Sequence, residues 1–251
     1  MTTPAGNGPI LEAESLDKKF GGIHAVQGVS LHVMPGEVVA LAGDNGAGKS
    51  TVIKMISGVY RPDGGEVRYQ GQRVDQLTPR QIRDHGIETI YQDLALADNL
   101  DVGTNLFLGR EKIKKLLGIP YLDRKTMRSE AAKALKNLGI VVRDLDAPVR
   151  TLSGGQRQAL AIGRAVYWQA KLLIMDEPTA ALGVPEQREV LALIHRLKAS
   201  GVGIIFISHN LHDIFAVSDR IVVLERGRKA GERLASETDG DEVVKLMMGG
   251  V

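Results

Sequence analysis

The sequence predicts an α/β fold, with a parallel sheet flanked by helices, an antiparallel β flank near the N-terminus and a helical subdomain. Three observations predict it. Val38-Val39-Ala40-Leu41-Ala42, Leu172-Leu173-Ile174-Met175 and Ile204-Ile205-Phe206-Ile207 are apolar runs without alternation. Strands buried on both faces read this way, and parallel sheets contain such strands. Helical periodicity lies between the runs, and strands alternating with helices define the α/β class. Finally, Gly43-x4-Gly48-Lys49-Ser50 joins the first run to a helical stretch, Thr51 to Ser57.

The remaining elements follow in chain order. Ile10 to Tyr69 is strand-rich with turns at Pro35-Gly36 and Asp63-Gly64-Gly65, which predicts the antiparallel flank. Asp123 to Leu138 places Ala131, Ala134, Leu135 and Leu138 on one helix face, and Gly139 closes it. Pro185 to Ala199 repeats Val190, Leu191, Ile194 and Leu197 at helical spacing, with Pro185 in the first turn and Gly201 at the end. Residues 1–9 read as a flexible start without a signal peptide's apolar segment. Residues 10–251 read as a single domain. Within it, 10–93 and 157–251 form the core with its β flank, and 94–156 form the helical subdomain.

Composition narrows the class. The 251 residues are 43% apolar, carry a formal charge of +2 and contain no cysteine. A disulfide scaffold and a cysteine zinc site are thereby excluded. Mixed charges without a polybasic tail give no sign of nucleic acid as a partner. No apolar run approaches the roughly 20 residues of a membrane helix, so any membrane association is expected through partners.

Gly43, Asp44, Asn45, Gly46, Ala47, Gly48, Lys49, Ser50 and Thr51 form a phosphate loop (P-loop) in its required strand–helix context. Glycines let backbone N–H groups turn toward phosphate oxygens, and the helix N-terminus adds a favourable dipole. Lys49 is placed to reach the β- and γ-phosphates, and the Ser50 hydroxyl to ligate Mg²⁺. Asp176-Glu177 follows a buried strand at the end where α/β sheets bind ligands. Asp176 suits the Mg²⁺ shell and Glu177 an attacking water. These motifs predict the core of a P-loop NTPase, which holds a nucleoside triphosphate with Mg²⁺.

Leu152-Ser153-Gly154-Gly155-Gln156-Arg157-Gln158, followed by a helix and Asp176-Glu177-Pro178-Thr179, resembles the signature of ATP-binding cassette (ABC) ATPases. The resemblance covers nearly the whole chain. It implies that Ser153, Gly154, Gly155 and Gln156 contact ATP held by the phosphate loop of a second copy, so that two cassettes sandwich two nucleotides head-to-tail. Ser153 can also cap a helix whose free N–H groups receive a phosphate. Residue by residue, Phe20 matches the aromatic that stacks on adenine. Gln92 matches the Q-loop glutamine, which touches Mg²⁺ or water. His209 matches the switch histidine that contacts the γ-phosphate. The implied catalytic set is Glu177, His209, Lys49 and Gln92, and the metal set is Ser50, Gln92 and Asp176. A metal pair from His209 and His212 is the alternative, which the strand end disfavours. Ala180-Ala181-Leu182-Gly183 departs from the family, whose D-loop often ends in Asp. A carboxylate reaching across the dimer is lost there.

Three stretches resemble monosaccharide importers of the ribose, xylose and fructose group. They are Gly43 to Gly48, Tyr91 to Leu96 with Asn105 to Arg110, and Ser208-His209-Asn210. The resemblance implies integral membrane permease subunits, a periplasmic or extracellular sugar-binding protein and a second copy of the chain as partners. It places the protein on the cytoplasmic face of a bacterial cell membrane. The alternatives are a cassette for another small solute, such as a branched-chain amino acid, and a soluble ABC ATPase acting on nucleic acid or ribosomes. A kinase would have no use for Leu152 to Gln156.

Overall fold

The computed structural model describes residues 8–142 and 144–250. Its strands are β1 (Leu11–Phe20), β2 (Ile23–Val33), β3 (Val38–Ala42), β4 (Gly64–Tyr69), β5 (Gln72–Arg73), β6 (Ile87–Ile90), β7 (Ile113–Leu116), β8 (Ile119–Leu122), β9 (Leu172–Asp176), β10 (Gly203–Ile207), β11 (Arg220–Glu225) and β12 (Arg228–Leu234). The helices are α1 (Lys49–Ile56), α2 (Pro79–Asp84), α3 (Val102–Leu106), α4 (Arg124–Asn137), α5 (Gly154–Tyr167), α6 (Val184–Ala199), α7 (Leu211–Val217) and α8 (Gly240–Met247). Two compact units result. The first comprises residues 1–89, 171–177 and 197–251, and the second comprises 90–170 and 178–196.

The first unit contains two sheets. One is antiparallel in the order β2-β1-β4-β5. The other runs β12-β11-β3-β10-β9-β6; β11, β3, β10 and β9 are mutually parallel, and β12 is antiparallel to β11. Every residue of β3 and β10 is buried. Alternate residues Val39, Leu41, Leu172, Ile174, Ile205, Ile207, Val222 and Leu224 face one core, shared with Val52, Ile53 and Ile56 of α1 and with Leu16, Val29 and Leu31 of the antiparallel sheet. Val38, Ala40, Leu173, Ile204 and Phe206 are equally buried on the opposite face. Burial on both faces is why these strands lack alternation. Burying each Val, Leu, Ile or Phe side chain among them contributes about 1.5–3 kcal/mol.

In the second unit α3, α4 and α5 pack together. Phe107, Tyr167 and Trp168 meet edge to face with ring centroids 5.0–5.8 Å apart. The Trp168 Nε1–H donates to the Leu106 carbonyl at 3.1 Å. Fully buried Asn105 donates to the carbonyls of Ala97, Leu100 and Asp101 and accepts from the Ala97 N–H. Arg164 donates to the carbonyls of Leu94 and Ala95. The segment following Gln92 is therefore held by side chains rather than by regular structure. The segment 94–156, read from the sequence as helical, also contains β7 and β8, an antiparallel hairpin. The compact unit extends beyond it at both ends and takes in residues 178–196.

Candidate active site

Strand register builds the site in the first unit. Leu41 lies opposite Ile207, and Ile207 lies opposite Asp176. Three parallel strands therefore end level with one another. The residues immediately beyond are Gly43 after β3, Ser208-His209 after β10 and Glu177 after β9. This is the carboxyl edge at which open α/β sheets bind ligands.

At β3 the chain turns sharply into α1. A Cβ on Gly43, whose φ is +146°, would lie 2.3 Å from the Leu224 carbonyl oxygen, so only glycine fits there. Gly48 caps α1 in the left-handed conformation, with φ +100°. The first N–H groups of a helix have no intrahelical partner, so those of α1 point outward from the turn. The Gly227 N–H donates to the Ala47 carbonyl, and the Gln27 N–H donates to the Gly227 carbonyl. These bonds tie the loop to β2 and to the turn after β11. The Lys49 ammonium folds back on its own loop, donating to the carbonyls of Gly43 at 2.6 Å and Asp44 at 3.0 Å.

Electrostatics couple the lysine to the two acids. Burial lowers the Lys49 pKa, while Glu177, Asp176 and Asp44 act in the opposite sense. Asp176 is pushed above the ordinary carboxylate value, first by burial and then by the Glu177 charge, against the pull of Lys49 and Lys54. The Asp176 carboxylate and the Ser50 hydroxyl are hard oxygen donors of the kind that suit Mg²⁺.

Glu177 takes φ +52°, in the left-handed region a non-glycine residue seldom occupies. Its N–H donates to the Ile207 carbonyl at 2.9 Å. Its Oε2 lies 2.9 Å from His209 Nδ1, and the His209 side chain is 77% exposed. The strained turn lifts the carboxylate out of line with β9 and toward the end of β10. His212, the second residue of α7, is exposed, and its N–H donates to Oδ1 of the N-cap Asn210.

Phe20 ends β1 and is 41% exposed, so it is not a core residue. Its ring meets Tyr60 edge to face at 5.2 Å, and the Lys18 ammonium lies 5.6 Å from its centroid. Tyr60 and Lys18 escape sequence reasoning. Neither belongs to a motif, and only the fold brings them to Phe20.

The other sequence-derived site residues lie in the second unit. Gln92 is exposed. Ser153 is the N-cap of α5, and its Oγ accepts from the Gln156 N–H while the Gln156 side chain accepts from the Ser153 N–H. This capping box fixes the direction of the helix N-terminus. A Cβ on Gly154 would stand 2.8 Å from Leu182 Cδ2, and one on Gly155 would stand 2.9 Å from Glu186 Cβ. The signature glycines therefore let Leu182, and Glu186 in the first turn of α6, approach α5 closely. Gly183, immediately before α6, donates its N–H to Glu186 Oε2 at 2.9 Å.

A phosphate loop, a carboxylate pair at the adjoining strand end and a capped helix opening with Ser-Gly-Gly-Gln define an ATP-binding cassette. Residues 26–180 match the ABC transporter family, and the chain belongs to it. It is 47% identical to the xylose/arabinose import ATP-binding protein XylG of Sulfolobus acidocaldarius, over 95% of this chain and 93% of that protein. It is 45% identical to the fructose import ATP-binding protein FrcA of Rhizobium meliloti, over 88% and 86%. A ribose import ATP-binding protein, RbsA 1 of Rubrobacter xylanophilus, is 43% identical over 96% of this chain, which spans 47% of that longer protein. Among solved structures, a nucleotide-free ATP-binding cassette from an ABC transporter superposes with a TM-score of 0.81 at 28% identity, covering 96% of this chain and 95% of its own. Among the described residues no helix is long and apolar enough to cross a membrane.

Proposed function

We propose that the chain is the ATP-hydrolysing subunit of an importer for a monosaccharide, acting at the cytoplasmic face of the membrane with permease subunits and a sugar-binding protein. The observation that carries this reading is the near full-length identity to the xylose/arabinose and fructose import proteins. The phosphate loop N–H groups and Lys49 bind the triphosphate of ATP, and Phe20, beside Tyr60, offers a ring for adenine. Glu177 orients and deprotonates the attacking water, and His209 holds Glu177 in place and meets the γ-phosphate. Ser50 and Asp176 would hold Mg²⁺. When bound, the ion would neutralise charge on the β- and γ-phosphate oxygens. Ser153 to Gln156 serve the nucleotide of a second copy. Closure of that dimer on ATP drives the permease, and hydrolysis reopens it.

The test is purification of the tagged chain from its native membrane, with Glu177→Gln in parallel. Recovery of a multi-spanning permease together with a sugar-binding protein is expected. Glu177→Gln should retain ATP binding and lose hydrolysis by about 10²-fold or more. Recovery of ribosomes or nucleic-acid proteins without a permease would replace transport with the soluble reading, and wild-type turnover in Glu177→Gln would remove Glu177 from the chemistry.

A further inference from the structure

The hairpin β7–β8 exposes apolar side chains, and it carries none of the candidate site residues. All eight of its strand residues are exposed. Ile113, Leu116 and Ile119 are 64–70% exposed, Tyr121 and Leu122 are also open, and Leu117 reaches 96%. The apex is a two-residue turn with both members left-handed, Leu117 at φ +50° and Gly118 at φ +83°. Turns of this kind favour Asn-Gly, and a bulky residue at their first position is disfavoured. Packing against the chain could offset that strain, but Leu117 is almost wholly in solvent. The sequence therefore holds a leucine at the apex against local preference.

The base of the hairpin is fixed. The Asp123 N–H donates to the Lys112 carbonyl at 2.8 Å. Lys114 pairs with Asp123 at 2.7 Å and Lys112 with Glu130 at 2.6 Å. These ties present the apolar apex outward. Residues 110–125 contain six basic side chains and two acidic ones. Asp123 is engaged by Lys114, whereas Lys115, Arg124 and Lys125 are exposed.

An apolar apex bordered by cations and a tyrosine matches the chemistry of an anionic bilayer surface. Leucine and isoleucine enter the boundary between headgroups and acyl chains, tyrosine rests at that level, and lysines meet the phosphates. An apolar protein groove would not require the cations, and a nucleic acid would not use the leucine apex. We propose that residues 113–122 dock shallowly into an anionic phospholipid surface, giving the cassette a membrane contact of its own. This goes beyond the import reading and depends on neither nucleotide nor sugar.

Flotation of the purified full chain tests it, with vesicles of phosphatidylcholine alone or mixed with phosphatidylglycerol, at low and high salt. The wild-type chain should float only with the anionic vesicles, and less at high salt. Leu117→Asn should weaken partitioning about tenfold. Because Asn tolerates the left-handed backbone, that variant should keep its unfolding midpoint and ATPase rate. The pair Lys115→Glu and Lys125→Glu should weaken binding by at least as much. Absence of flotation on anionic vesicles would overturn the proposal, as would equal binding by wild type and Leu117→Asn. A concentration-dependent dimer lost in Leu117→Asn, without vesicle binding, would assign the hairpin to self-association instead.

Discussion

Gly43 and Gly46 stand three residues apart in one loop, and both have positive φ, at +146° and +83°. Their surroundings differ. A Cβ at Gly43 would be driven into the Leu224 carbonyl and to within 3.1 Å of Ala47 Cβ, whereas a Cβ at Gly46 meets nothing within 4 Å. Gly46→Ala should therefore cost only the backbone strain, about 1–2 kcal/mol. Gly43→Ala adds a clash between two fixed main-chain segments and should cost about 3 kcal/mol or more. Urea unfolding of the two variants checks this, and equal losses would show that the turn yields at Leu224. Glu177 shows the same economy from the other side. Its left-handed backbone is strain held at the residue proposed to act on the attacking water, as is common at functional sites. No sequence pattern announces that turn, because glutamate is not a residue type that favours the left-handed region.

At the scale of elements, the start of α4 is a joint between helix and hairpin. Asp123 caps the helix through the Thr126 N–H and pairs with Lys114 of β7. The Lys114 ammonium, then the Thr126 contacts, hold its carboxyl down to about 2 from the ordinary 3.8. A depressed acid stabilises the fold above its unfolded pKa, and that contribution is lost as pH falls through the folded value. The joint should therefore hold at pH 4 and loosen as pH drops toward 2. Carboxyl NMR should place the Asp123 midpoint near 2, and Lys114→Met should move it up. An unmoved midpoint in that variant would deny the pair its role. The hairpin itself was not legible in the sequence. Ile-Lys-Lys-Leu-Leu-Gly-Ile-Pro-Tyr-Leu has no period of two, Leu-Gly is a poor turn signal, and Pro120 argues against a strand. β3, β9 and β10 were legible because burial on both faces forces continuous apolar runs. α4 and α6 were legible because burial on one face forces helical spacing. The phosphate loop and the acid pair were legible because their chemistry needs fixed residue types at fixed spacing. The approach of Tyr60 and Lys18 to Phe20 rests on packing alone, which no local pattern encodes.

At the scale of the whole molecule, the site residues divide between the two units. Phe20, the phosphate loop, Asp176, Glu177 and His209 lie in the first, and Gln92 and Ser153 to Gln156 lie in the second. The head-to-tail reading assigns the signature of one copy to the nucleotide of the other, and it makes a demand that one chain alone cannot meet. Glu177→Gln, unable to clear ATP, should accumulate as a dimer when ATP is added and return to monomer when it is removed. Adding Ser153→Arg should abolish that dimer while a single chain still binds ATP. The arginine fills the space before the α5 N-terminus, and its charge cannot substitute for the hydroxyl that caps it. Loss of the cap alone costs about 1 kcal/mol, so the double variant should remain folded, and its unfolding midpoint provides the control. Light scattering with and without ATP reads the association. Dimerisation of the Ser153→Arg chain at the wild-type ATP concentration would place the signature away from the shared nucleotide. A chain that binds ATP yet stays monomeric as Glu177→Gln would leave the permease, rather than the nucleotide, as the element that brings two copies together.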